Sequence, residues 1–172
     1  LLNSLPKECI VVITADHGES FEHGYYFNHR GGLWEGITHV PLIIKGPNVP
    51  AARIDAQVGL IDVLPTVLEL AGLKQDAHIQ GRSLVSLMNG VGKGQGLVFS
   101  ITDPWMPNPQ FASRSETYKR IEGADVQIFD LLSDPNENSP LQDSSILSDS
   151  RSSYLKQLEP YLQRQHASPQ QP

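Results

Sequence analysis

The sequence holds a single cysteine, Cys9, among 172 residues. No internal disulfide can form, and no thiolate metal cluster can be assembled within this chain. Cys9 stands inside an apolar run, where a small soft side chain packs well, so it reads as a core residue and not as a reactive thiol. Positive charge is also scarce: 13 Lys and Arg face 19 Asp and Glu, a formal net charge of −6. A field of that sign repels nucleic acid and anionic lipid surfaces. An anionic substrate would need local help from a metal, an imidazole or an arginine. No apolar run approaches the roughly 20 residues of a membrane-spanning helix. The opening "LLNSLPKEC" lacks a basic segment followed by an apolar core, so it does not read as a secretion signal. The glycines of "GVGKGQG" lack phosphate-loop spacing, and no Ser or Thr follows the lysine. None of this fixes the compartment or the oligomeric state.

What the chain does have is short β-branched runs. "CIVVIT" (residues 9–14) has the unbroken apolar pattern of a strand covered on both faces in a parallel sheet. "HVPLIIKGP" reads as a second buried strand and "GLVFSIT" (residues 96–102) as a third. Between the first two lies "DHGESFEHGYYFNHRGG", a polar loop of a length that is often functional. "GLWEGITH" predicts a short helix with Trp34 as anchor and Glu35 as cap. In "GLIDVLPTVLELAGL" Asp62 is the expected N-cap, Pro65 falls in the first turn, and Gly72 ends the helix. "GRSLVSLMNG" predicts another short helix. "SETYKRIEGADVQIFDLL" predicts a hairpin turning near Gly123, and "SRSSYLKQLEPYLQRQ" a helix with Tyr154, Leu158 and Tyr161 on one face, ended or kinked by Pro160. The expected architecture is an α/β body, a mainly parallel sheet flanked by helices, over residues 1–110. A small antiparallel β subdomain with a terminal helix follows over residues 111–172. A buried strand so close to Leu1 reads as the carboxyl-terminal part of a larger protein.

Ligands of open α/β sheets gather beyond the carboxyl ends of strands. Asp16 and His17 stand there, and Gly18 allows a turn that brings both to one side. A carboxylate beside an imidazole suits a divalent cation; the alternative is that Asp16 caps a turn while His17 packs or is solvated. His29 and Arg30 follow in "FNHRGG". An imidazole and a guanidinium together bind a tetrahedral oxyanion or protonate a leaving oxygen, although Arg30 fits a surface ion pair equally well. His23 reads as solvated, Glu19 as a solvated carboxylate or else an acceptor behind the site, His39 as structural, His78 and His166 as exposed, and Asp130 and Asp134 as turn residues.

Taken in order, "VVITADHGESFEHGYYFNHRGGLWEGITHVPLIIKGP", "VGLIDVLPTVLELAGL", "IQGRSL" and "YKRIEGADVQIFDLLSDPNENSPL" resemble the second half of a sulfatase, in the alkaline phosphatase superfamily. The resemblance implies an alkaline-phosphatase-like sheet, and it implies that Asp16 and His17 complete a metal site. The metal is usually Ca2+ in sulfatases and often Mn2+ or Zn2+ in relatives acting on phosphate or phosphonate esters. Asparagine often stands where this chain has His17. His29 matches the histidine that contacts the sulfate ester or its leaving oxygen, with Arg30 as a second substrate-binding candidate; many sulfatases carry a lysine close to that position. The family's nucleophile lies in a Cys/Ser-x-Pro-x-Arg segment, and Cys9 in "KECIVVIT" does not match it. The chain is therefore expected to carry half a site and to be inactive alone.

The substrate implied is a small sulfate ester or a sulfated glycan. Two other readings remain. One is a phosphate or phosphonate ester hydrolase, or a phosphoethanolamine transferase, on the same fold. The other is a non-catalytic glycan- or partner-binding module, which predicts a basic patch.

Overall fold

The computed structural model describes residues 4–24, 26, 27, 29, 32–102 and 108–157. Strand β1 (Val11–Thr14) is four β-branched residues, the type that favours an extended chain. It pairs antiparallel with β2 (Leu42–Lys45), from Val11 opposite Lys45 to Thr14 opposite Leu42. Helix α1 (Glu35–Thr38) lies in the connection between them. The expectation of strands covered on both faces does not hold within these residues. Ile13 and Ile43 are cross-strand partners, 44% and 57% exposed, and together form an apolar pair on an open face.

The second sheet is a four-stranded antiparallel meander of β3 (Val98–Ile101), β4 (Phe111–Arg114), β5 (Tyr118–Glu122) and β6 (Val126–Asp130), in that order. The predicted hairpin is its β5–β6 edge, and Gly123 N–H donates to Asp125 O at 3.0 Å across the turn. The expected third strand of the body, β3, pairs with β4 here, so the sheet draws on both sides of residue 110. Every strand pair among the described residues is antiparallel. The expected parallel pairing is not among them, because a four-residue apolar run reads the same in either direction.

Ala112, Ile121, Phe129 and Leu131 make the core of this sheet, and Leu33, from the end of the long loop, completes it, with Trp34 packed alongside. On the other side, residues 150–157 are helical, and Tyr154 packs its ring against Phe99 and Phe111 at centroid distances of 4.9 and 5.5 Å. Leu158, Pro160, Tyr161 and His166 lie outside the described residues.

Helix α2 (Val63–Leu70) follows a single 3-10 turn, Leu60–Asp62. It stops as expected at Gly72, whose φ is +69°; Leu73 N–H reaches back to Leu68 O at 2.9 Å and Gly72 N–H to Glu69 O at 3.0 Å. Asp62 is a correction. It is fully buried and makes no side-chain cap to α2. Its carboxylate instead accepts from the N–H groups of Gly59 and Arg82, both at 3.0 Å, and from Gln95 Nε2 at 2.5 Å. A charged acceptor that collects loop amides from two directions is worth more buried than exposed. Helix α3 (Val85–Met88) is the predicted short helix.

Candidate active site

Beyond the end of β1 the chain turns at Gly18, whose N–H donates to Ile37 O at 2.8 Å. A Cβ at Gly18 would stand 2.1 Å from Gly36 O, so only glycine lets the turn lie against the backbone of α1. This contact aims Asp16 and His17 into an open cleft of about 2190 Å³, which His29, Glu35, Ile43 and Val98 also line.

The Asp16 carboxylate is 90% exposed. Oδ1 accepts the His17 N–H at 3.0 Å, the local turn bond weighed as an alternative, while Oδ2 lies 3.8 Å from His17 Nε2. His17 Nδ1–H donates to Gly18 O at 2.8 Å, which leaves the Nε2 lone pair free. Two ligand atoms 3.8 Å apart subtend roughly 120° at a cation with bonds of about 2.2 Å. The pair therefore fits a divalent ion.

His29 stacks on His17, with ring centroids 4.0 Å apart and planes inclined by 21°. Its Nδ1–H donates to Glu19 Oε1 at 2.8 Å. Glu19 Oε2 is buried without a hydrogen-bond partner among the described residues. Glu19 thus takes the acceptor role weighed beside solvation, with its side chain 40% exposed. His17, Glu19 and His29 each bring a potential donor atom within 4.8 Å of the others. A cation bound by two imidazoles has to lie in both ring planes, and two near-parallel stacked planes offer no such point between them. As arranged, Asp16 with His17 fits a cation better than this trio. Arg30 lies outside the described residues, so of the His29–Arg30 pair only His29 is placed.

The loop is fastened at several points that sequence reasoning missed. His23, expected to be solvated, stacks on Trp34 (centroids 4.6 Å, planes 11°) and donates from Nε2 to Asn136 O at 3.1 Å. The Trp34 ring covers Gly32, where a Cβ would lie 2.1 Å from it. Glu35 does not cap α1. Its carboxylate takes Arg114 Nε at 3.0 and 3.1 Å and Lys119 Nζ at 3.0 Å. The first amide of the helix, Glu35 N–H, is capped by Glu137 Oε2 at 2.5 Å, and Glu137 Oε1 lies 3.2 Å from Lys119 Nζ. Arg114 also bonds Gln57 Oε1. Burial pushes the Glu35 carboxyl up, but Lys119 and Arg114 outweigh it and hold the group below the usual glutamate range. For Glu137 burial wins: Lys119 and the Glu35 amide offset it only in part, the Glu35 charge adds to it, and the carboxyl sits above its usual range. His39, 72% exposed, touches this network only at its edge, 3.4 Å from Glu35 Oε2.

The fold presents a carboxylate and two stacked imidazoles beyond the end of a strand. Among solved structures, a 2-O GAG sulfatase superposes with a TM-score of 0.70 at 27% identity, covering 90% of this chain and 36% of that one. The phosphonate monoester hydrolase of Agrobacterium radiobacter shares the fold, with a TM-score of 0.66 at 22% identity over 90% of this chain and 35% of that one. The sequence model of the sulfatase family matches residues 1–73. A sulfatase of Formosa agariphila is 36% identical over 135 residues, 76% of this chain and 26% of that protein. Arylsulfatase K of Bos taurus is 32% identical over 149 residues, 77% of this chain and 27% of that protein. The chain belongs to the sulfatase family, in the alkaline phosphatase superfamily. It spans about a quarter of the length of the curated relatives it matches.

Proposed function

We propose that this chain is the carboxyl-terminal part of a metal-dependent sulfuric ester hydrolase, to which it contributes metal ligands and a leaving-group histidine. One observation carries the reading. The free Nε2 of His17 and the Oδ2 of Asp16 stand 3.8 Å apart, with the His29 ring stacked directly on His17. Asp16 and His17 are the residues that would hold the ion, calcium in the first instance and manganese or zinc otherwise. When bound, a divalent cation supplies charge that polarises the ester oxygens. His29, one ring away, hands a proton to the leaving alcohol oxygen, and Arg30 helps to bind the sulfate. The nucleophile and the parallel part of the sheet belong to the remainder of the protein, which covers the apolar Ile13–Ile43 face and part of the cleft. The substrate is a sulfate ester, small or carried on a glycan; the likeness to a 2-O GAG sulfatase supports the glycan.

The test uses the full-length protein. D16A and H17A are expected to lose metal by elemental analysis and activity with it, and H29A to lose about 10²–10⁴ in rate with its metal retained. Full activity in H29A, or full metal occupancy in D16A and H17A, defeats the reading. His17 favours a second reading, since an imidazole suits manganese or zinc better than calcium: a phosphonate or phosphate ester hydrolase of the same superfamily. Parallel assays on matched sulfate and phosphonate esters decide between the two.

A further inference from the structure

We propose that Glu19 is the positioning residue for His29, fixing its tautomer and aiming Nε2 at the leaving oxygen; the inference rests on the leaving-group role given to His29 above. A carboxylate only accepts, so the 2.8 Å contact from His29 Nδ1 to Glu19 Oε1 requires the proton on Nδ1. Nε2 is then the atom that faces the reaction. As an imidazolium His29 carries a second proton on Nε2; while the nucleophile bonds to sulfur and the ester S–O bond breaks, the Nε2–H bond breaks and that proton passes to the departing alkoxide oxygen, leaving the imidazole in the Nδ1–H form that Glu19 already holds. No rotation or proton relocation on the ring is needed. Aligning an imidazole through its remote nitrogen is a general use of a carboxylate.

The backbone that carries the Glu19 carboxylate is fastened to α1. Gly18, its neighbour in the chain, is fastened to Ile37 O, and the Glu19 carbonyl passes close to Gly36 of α1, 3.4 Å from where a Cβ there would sit. Oε2 is buried without a partner among the described residues, while the side chain as a whole is 40% exposed. His17 has the same design, its Nδ1–H occupied by Gly18 O and its Nε2 free. The four residues Asp16-His17-Gly18-Glu19 thus supply one imidazole, the acceptor that orients it, and the acceptor that orients a second imidazole ten residues further on.

In the full-length protein, aryl sulfates of graded leaving-group basicity separate positioning from general damage. E19A should lower kcat about 10–100-fold on phenyl-type leaving groups, with little loss on 4-nitrophenyl sulfate and KM unchanged. E19Q should recover most of that rate, because its amide oxygen still accepts from Nδ1–H. H29A runs alongside. A graded loss in H29A with a uniform loss, or none, in E19A overturns this inference alone; an ungraded H29A overturns the leaving-group role and this inference with it. Metal lost from E19A would make Glu19 a ligand and also overturn it. Histidine-selective NMR of the ring nitrogens in the full-length protein gives a readout independent of substrate. His29 should carry its proton on Nδ1 in wild type and E19Q and shift it toward Nε2 in E19A. An unchanged tautomer in E19A refutes the inference.

Discussion

Nζ of Lys119 lies 3.0 Å from Oε1 of Glu35 across a sequence separation of 84 residues, with the lysine side chain only 1% exposed. The contact ties the short helix after the site loop to the middle of the four-stranded sheet. Glu137 closes on the same ammonium, and Arg114 supplies the second positive charge, so two anions and two cations balance. Such a cluster is costly to break from one side, because desolvation of the survivors is no longer compensated.

K119M is therefore expected to destabilise the protein by about 3–5 kcal/mol, read from urea unfolding. The loss comes mainly from Glu137, whose Oε1 loses its ammonium while Glu35 keeps Arg114, so adding E137Q to K119M should recover part of it. A loss below about 1 kcal/mol in K119M would place the pair in the weak class of exposed ion pairs.

The two carboxylates should leave opposite signatures with pH. The folded-state pKa of Glu35 is lowered, so its contribution is present above the ordinary value of 4.5 and is lost as pH falls through the folded value. That of Glu137 is raised, so its contribution is present below 4.5 and is lost as pH rises through the folded value. The stability difference between wild type and E35Q should shrink on acidification below 4.5, and that between wild type and E137Q should shrink on raising the pH above 4.5. Chemical denaturation across that range measures both; parallel curves for the two variants would contradict the assignment.

Gly18 and Gly36 face one another but differ in what a methyl group would meet. G18A puts a Cβ 2.1 Å from Gly36 O, whereas G36A puts one 3.4 Å from Glu19 O. The first should cost about 1–3 kcal/mol and displace Asp16 and His17; the second should be far milder. Equal unfolding midpoints for the two variants would show that the turn does not rest on α1 as described.

G72A serves as a control remote from the site. Nothing lies within 4 Å of the added methyl, yet φ is +69°, so the left-handed backbone should cost about 1–2 kcal/mol. Activity of the full-length protein at moderate temperature should not change.

The sequence exposes what is local. The strand ending in Asp16 and His17, the stop at Gly72 and the turn at Gly123 each follow from a few adjacent residues. The placement of His29 against His17 was expected only through the family likeness. Asp62 misled because an aspartate ahead of an apolar helix reads as an N-cap, and nothing nearby reveals that Gln95 and Arg82 converge on it. For Glu19 the loop leaves solvation and an acceptor role side by side, and only the return of His29 to it picks the second. The partners of Glu35 lie 79 and 84 residues away, with no periodicity to connect them. Strand direction is likewise absent from a four-residue run.

Leu33, Trp34 and Glu35 take their footing from β4, β5 and the turn holding Asn136 and Glu137. A frameshift or premature stop between codons 111 and 137 would spare Asp16, His17, Glu19 and His29 and still knock away what supports them. Genetic variants in that stretch belong with the damaging ones, although it holds none of these four residues. A minimal domain trimmed at the end of β3 would keep Asp16, His17, Glu19 and His29 and lose the scaffold that gives them a shape.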